Sequence, residues 1–436
     1  MEAMKKNGSR DSARSNDNGD GNRSGDGNAH PGFHGLGLDS RLLRTIEDLG
    51  FERPTPVQIE AIPPALDGRD ILACAMTGSG KTAAFVLPIL QRLLDEPRKG
   101  TRVLILTPTR ELAAQVADHF AELAAHTNVR VATVFGGVGA GAQESAFRKG
   151  VEVIVGTPGR LLDHFQHDYA RLSRLEVLVF DEADRMLDMG FLPDIKRILR
   201  HLPKAPRQTL FFSATMPEEI VRLSRDILRE PVRISVERKS APATGVVQAL
   251  YPIGAQLKVQ LLGELLERGE IGNAIVFCRT KHRADRLAKK LVARGIAAGR
   301  IHGNRSQGQR TAALAAFKNG HTRVLVATDI VARGIDVEAL DHVVNFDVPH
   351  TPDDYIHRVG RTARAEMTGD AYTLVSPEEE GTIRAIERAL GGAIERRTVE
   401  GFDYRGPAEP RLEAPGRDRA PRHRHAGRAP GRLSPR

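Results

Sequence analysis

Two kinds of apolar spacing alternate along this chain of 436 residues. Short, nearly unbroken runs of Val, Ile and Leu predict buried strands at 70–75, 103–107, 131–135, 151–156, 175–180, 208–212 and 232–236. The theme returns at 247–251, 274–278, 297–301, 323–327, 342–346 and 371–375. Amphipathic segments of helical period lie between the runs. In "LDSRLLRTIEDLGF", Leu42, Ile46 and Leu49 form one stripe, Asp39 or Ser40 can cap its start, and Gly50 can end it. Strands that alternate with helices predict an α/β fold of parallel sheets with helices on both faces. "ERKSAPATG", residues 237–245, is charged, proline-bearing and without period, and reads as a linker between units at 33–236 and 246–404.

Polar chemistry gathers at one end of these strands. "TGSGKT" follows 70–75, "TPTRE" follows 103–107, Gly136-Gly137 follow 131–135, and "TPGR" follows 151–156. Asp181-Glu182-Ala183-Asp184 follow 175–180, and "SAT" follows 208–212. In the second unit "CRT", "HG" and "TD" close their strands. Alone, the acidic cluster would read as a solvated turn. Open parallel sheets bind ligands outside the carboxyl ends of their strands, and the recurrence puts the cluster on that edge.

The edge carries phosphate chemistry. In "AMTGSGKT", Gly78 and Gly80 let backbone N–H groups surround phosphates at a helix start, Lys81 can reach the β- and γ-phosphates, and Thr82 can ligate Mg²⁺. Ala75 departs from the usual first Gly. Asp181 stands where a Mg²⁺ partner is needed, and Glu182 can orient and deprotonate an attacking water. Asp184 has a plain structural alternative, a salt bridge or hydrogen bond. In "HRVGRTAR", Arg358, Arg361 and Arg364 recur every third residue and on a helix would share one face. That face is either exposed charge or an arginine finger for the γ-phosphate; two units joined by a linker favour the finger.

Charge is uneven. Of the net +9, residues 405–436 hold nine Arg against Glu409, Glu413 and Asp418, a sum of +6. This Arg-rich tail suits a polyanion. It and residues 1–32 cannot bury a core and are expected to be disordered. The first residues lack the apolar stretch of a secretory signal, and Pro and charge interrupt every run that could span a membrane. Cys74 and Cys278 form neither a disulfide framework nor a zinc site and fit a reducing cytoplasm.

Together these motifs resemble the DEAD-box ATP-dependent RNA helicases, from about residue 33 to 375. The resemblance implies two RecA-like domains that close on ATP and single-stranded RNA, RNA-stimulated hydrolysis, and local unwinding of short duplexes or remodelling of RNA–protein complexes. A rival from the binding class is an ATP-dependent RNA clamp with little strand separation. "GFERPTPVQ" resembles the adenine-reading segment, with Phe51, Gln58 and the upstream Phe33. The resemblance implies nucleotide contacts from Thr77, Gly78, Ser79, Gly80, Lys81, Thr82 and, at the ribose, Asp336. It implies Mg²⁺ at Thr82 and Asp181, a base at Glu182, and fingers at Arg361 and Arg364. Pro108, Thr109, Arg110, Gly137, Thr157, Gly159 and Arg160 would line the RNA backbone. Arg279, Gly303, Gln307, Arg310, Thr328 and Asp329 would continue that path without reading sequence. Asp184, Ser213, Ala214, Thr215 and His357 would couple ATP to RNA. Ala363 departs from the family's Gly. The compact ending resembles the bacterial RhlE-like branch. A monomer is assumed, with ribosome-assembly or RNA-decay proteins as candidate partners.

Overall fold

Strand order is the same in both halves of the chain. In this computed structural model, which describes residues 32–76, 78–236, 246–329, 340–362 and 369–406, the first sheet holds β1 (Ile71–Cys74), β2 (Val103–Leu106), β3 (Val131–Val134), β4 (Val153–Gly156), β5 (Val177–Phe180), β6 (Gln208–Ser213) and β7 (Val232–Ser235). Their order is β3-β4-β2-β5-β6-β1-β7. The second sheet holds β8 (Val246–Pro252), β9 (Ala274–Phe277), β10 (Ala298–Ile301), β11 (Val324–Ala327), β12 (His342–Asn345), β13 (Gly369–Val375) and β14 (Glu395–Arg396). Their order is β10-β11-β9-β12-β13-β8-β14, the first order repeated strand for strand. Every strand pair is parallel.

All the predicted strands form, most of them a residue or two shorter. β14 has no counterpart among the predicted strands, because its two residues are exposed and charged and carry no apolar run. Unbroken apolar runs form these strands because both faces are covered. Ile71, Ala73, Ile105, Val179 and Phe212 enter one buried cluster, and Leu72, Leu104, Leu178, Phe180 and Phe211 enter the cluster on the opposite face. Side-chain alternation along a strand requires this division. The second sheet divides likewise, with Val276 and Val326 on one side and Ile275 and Leu325 on the other.

Asp39 caps the helix Ser40–Asp48 through Arg41 N, and Leu42 and Ile46 are buried. Leu49 lies past the last helical turn and is exposed, so the predicted stripe is one residue shorter. Gly50 then takes a φ of 72°. Phe33 and Leu36 pack on the first core, and Phe402 and Tyr404 pack against the second. The two cysteines are not joined in a disulfide; Cys278 is buried and Cys74 half-buried. Among the described residues no helix is long and apolar enough to cross a membrane. The expected linker 237–245, residues 1–31 and residues 407–436 lie outside the described residues.

Candidate active site

β1 runs into the phosphate loop, and helix Lys81–Asp95 leaves it. Gly80 has a φ of 88°, and a Cβ there would lie 2.6 Å from Gln58 Nε2. Only glycine meets both demands. Gln58 Nε2 donates to Gly80 O at 3.1 Å, and its Oε1 accepts from Thr55 N at 2.9 Å. The buried amide therefore braces the phosphate loop and keeps one N–H and one lone pair for a base. Ser79 Oγ donates back to Met76 O at 2.7 Å. Lys81 is buried, its Nζ donating to Ala75 O at 2.8 Å.

Around this loop lies a pocket of about 360 Å³, lined by Phe33, Phe51, Gln58, Gly78, Lys81, Thr82, Asp181, Glu182 and Arg361 among others. Phe33 and Phe51 rings sit 6.5 Å apart. His119, which no sequence motif singled out, meets Phe51 edge-on at 6.4 Å and lines the same pocket. Thr77 lies outside the described residues.

β6 separates β5 from β1. The acidic cluster, "SAT" and the phosphate loop therefore stand side by side. Glu182 has a φ of 55°, an uncommon conformation for a side-chain-bearing residue. Burial pushes the Asp181 carboxyl well above the usual range; Lys81 opposes this and the Glu182 charge adds to it. Burial would raise Glu182 too, but Arg185, Lys81, Arg361 and His357 together hold it low. Glu182 forms a buried ion pair with Arg185. Asp184 Oδ2 accepts from Thr215 N at 2.8 Å and from Thr215 Oγ1 at 2.9 Å. Asp184 N donates to Ser213 Oγ at 3.1 Å, and that hydroxyl donates to Thr215 O at 2.8 Å. Ala214 is buried between them. The structural alternative for Asp184 and its place beside "SAT" are thus one network.

The second domain closes the pocket with Arg361, which is buried. Contrary to their spacing of three, Arg358 and Arg361 do not share a helical face. Helix Pro352–Val359 ends before Gly360, so a spacing of three no longer implies one face beyond it. Arg358 turns inward, with Nε and Nη2 on Asp329 at 2.6 and 2.8 Å and Nη1 on Asn345 Oδ1 and Asp347 O at 3.0 and 2.8 Å. Arg361 turns toward the first domain. His357 is half-buried near Glu182. Asp336, Ala363 and Arg364 lie outside the described residues.

The residues expected along RNA fall on the same edge. Thr109 Oγ1 accepts from Leu112 N at 3.2 Å, capping helix Arg110–Leu123, and Pro108 is buried beside it. Arg110 lies against Gly137, whose φ is 83° and where a Cβ would collide with the Arg110 guanidinium. Thr157 stands at the N-cap position of helix Pro158–His164 without a side-chain capping bond, Gly159 is exposed, and Arg160 Nη1 donates to Val138 O at 3.3 Å. In the second domain Arg279 and Gly303 are exposed, Thr328 is buried, and Asp329 is held by Arg358. Gln307 and Arg310 are arranged differently from an open RNA path. Both are buried against Glu111 of the first domain, at 3.1 and 2.5 Å. Glu111 stood in plain view within "TPTRE" but had no predicted partner.

A nucleotide-sized pocket walled by two domains of one topology defines a two-domain RecA-like nucleotide-binding protein. Residues 55–223 match the DEAD/DEAH box helicase family and 257–366 the helicase conserved C-terminal domain. The chain is 42% identical over 382 residues to DEAD-box ATP-dependent RNA helicase CshA of Bacillus cereus, covering 88% of this chain and 72% of that one. It is 43% identical over 364 residues to CshA of Geobacillus kaustophilus, covering 84% and 78%. It also superposes on S. cerevisiae Dbp5 bound to RNA and ADP BeF3 with a TM-score of 0.77 at 30% identity, covering 84% and 95%. The chain belongs to the DEAD-box ATP-dependent RNA helicases. These curated relatives bear the name CshA rather than that of the RhlE-like branch.

Proposed function

We propose that this chain hydrolyses ATP as its two domains close on RNA, and that closure opens short duplexes locally. The observation that carries the reading is Arg361 of the second domain meeting Asp181, Glu182 and Lys81 of the first across one pocket. Phe33, Phe51 and Gln58 hold the base, and the loop around Gly78 and Gly80 holds the phosphates with Lys81. Glu182, kept ionised by the cations around it, accepts the hydrogen bond that orients water and receives its proton. Arg361 neutralises charge that grows on the γ-phosphate.

Thr82 and Asp181 fit Mg²⁺: a hydroxyl and a buried carboxylate suit a hard cation that otherwise takes waters and phosphate oxygens. Held there by Thr82 and Asp181, Mg²⁺ would offset the negative charge of the phosphates. RNA lies across Arg110, Gly137, Thr157, Arg160, Arg279 and Gly303, whose chemistry suits phosphate and 2′-hydroxyl groups. The Asp184–Thr215 network links the hydrolytic carboxylates to that path. The reduced thiols of Cys74 and Cys278 support a cytoplasmic setting.

The test follows ATP hydrolysis and strand separation of a short RNA duplex in wild type and Arg361→Ala, together with RNA residence time. Unwinding that stops with Arg361→Ala supports the reading. Long residence without strand separation in wild type would replace it with a clamp.

A further inference from the structure

Because the sheets share one strand order, each position in the first domain has a counterpart in the second. β8 corresponds to β1, β12 to β5 and β13 to β6. Helix Lys81–Asp95 follows β1 and begins with the phosphate-loop lysine. Helix Lys258–Glu267 follows β8 and also begins with a lysine. Lys81 lines the nucleotide pocket. Lys258 is 1% exposed, with Nζ donating to Phe346 O at 3.1 Å, Leu374 O at 2.7 Å and Glu379 Oε2 at 2.6 Å. Phe346 is the first residue beyond β12, as Asp181 is the first beyond β5. An ammonium has three N–H donors. All three are taken, so Lys258 has none left for a phosphate. The anion it holds is the chain's own carboxylate.

That carboxylate reaches further. Glu379 Oε2 also accepts from Ser376 N and Oγ at 3.1 and 2.9 Å. Its Oε1 accepts from Arg279 Nη2 at 3.0 Å. Arg279 stands just past β9, with its N–H on Asp347 Oδ2 at 2.8 Å and its side chain 42% exposed. A buried cation, a mostly buried anion and a half-exposed cation thus form one row from the core to the sheet edge. Burying an ion pair is costly, and an apolar pair would pack as well. With Glu379 alone, the charge of Arg279 would be cancelled. Lys258 offsets Glu379 and leaves the row with one net positive charge at its exposed end.

We propose that Lys258 and Glu379 are positioning residues for RNA binding: the second domain's counterpart of the phosphate site holds an internal carboxylate, which presets the Arg279 guanidinium for an RNA phosphate. This rests on the reading of Arg279 as an RNA contact.

The experiment uses the full chain and measures the RNA concentration for half-maximal ATPase in Glu379→Gln, Arg279→Ala and the double variant. Freeing a side chain that must be ordered again on binding weakens affinity by about two- to tenfold. Glu379→Gln should raise RNA half-saturation by that factor, with the effect on half-saturation rather than on turnover at saturating RNA. In the Arg279→Ala background it should add nothing. Equal factors in both backgrounds would overturn the positioning role. If Arg279→Ala leaves half-saturation unchanged, the RNA reading of Arg279 falls and the proposal with it. Should Glu379→Gln fail to fold with Lys258 left uncompensated, Lys258→Met with Glu379→Gln removes both charges, and the same comparison decides.

Discussion

Glu111 and Arg310, 199 residues apart in sequence, form an ion pair of 2.5 Å buried between the two domains. Gln307 joins them at 3.1 Å through the other carboxylate oxygen. Glu111 sits in the first turn of helix Arg110–Leu123, directly after Thr109 and Arg110, the residues proposed to meet RNA. The contact exists only when the domains are together, so it acts on closure. Truncating one partner of a buried, hydrogen-bonded interfacial charge pair costs about 2–5 kcal/mol. Glu111→Gln should therefore weaken RNA binding in a non-hydrolysable ATP analogue by tenfold or more. Exchanging the charges, Glu111→Arg with Arg310→Glu, should restore part of it. RNA affinity equal to wild type in Glu111→Gln would show that closure does not depend on the pair.

Substitutions at Glu182 and Lys81 should separate hydrolysis from binding. Glu182→Gln preserves size but removes the proposed proton acceptor, a change worth about 10²–10⁴-fold in rate. ATP binding should persist, and RNA dissociation in ATP should slow. Lys81→Ala should instead lose ATP-dependent RNA binding. Stopped-flow dissociation of labelled RNA checks both, and near-normal turnover in Glu182→Gln would remove Glu182 from the role of base.

Gln58 has already used one N–H on Gly80 O and one lone pair on Thr55 N–H. The remaining N–H and lone pair match the N7 acceptor and N6 donor of adenine, whereas guanine offers two acceptors. ATP should be hydrolysed much faster than GTP. Gln58→Ala should lose that preference and also bind ATP more weakly, because Gly80 loses its brace. Parallel hydrolysis rates for the two nucleotides test this, and equal wild-type rates would contradict it.

His164 adds a pH dependence. Gln143 Nε2 donates to Phe135 O at 3.1 Å, so its Oε1 faces His164 Nε2, also at 3.1 Å. His164 Nε2 must then donate, and Nδ1 accepts from Tyr169 OH at 3.0 Å. This network needs a neutral ring, and burial, aided by Arg160, pushes the ring below its ordinary 6.5. The unfolded chain therefore takes up a proton that the folded one refuses, and stability falls as pH drops through about 6.5. His342 in the second domain shifts in the same direction, so the comparison is with His164→Gln. Thermal midpoints from pH 7.5 to 5 should fall more steeply in wild type; parallel curves would exclude His164 as the source.

The strands were legible because a run such as Val177–Phe180 needs only its own side chains to declare two buried faces. The glycine loop that opens helix Lys81–Asp95 was legible because Gly78, Gly80 and Lys81 lie within a few residues of one another. His119 was not, since a single histidine on a helix gains meaning only from Phe51 packed against it. Arg358 and Arg361 looked equivalent for the same reason: their spacing is local, but the helix end at Gly360 and the buried Asp329 are what part them.

By itself, then, the sequence determined thirteen of the strands and the polar chemistry at the strand ends, all set by neighbours in the chain. Only the tertiary structure decided which charges meet. Arg310 finds Glu111, Lys258 finds Glu379 at 121 residues' separation, and Arg361 reaches the pocket of the other domain. Such pairs leave no local pattern, because strand order and domain closure bring them together, and a buried charge takes the partner that folding delivers to it.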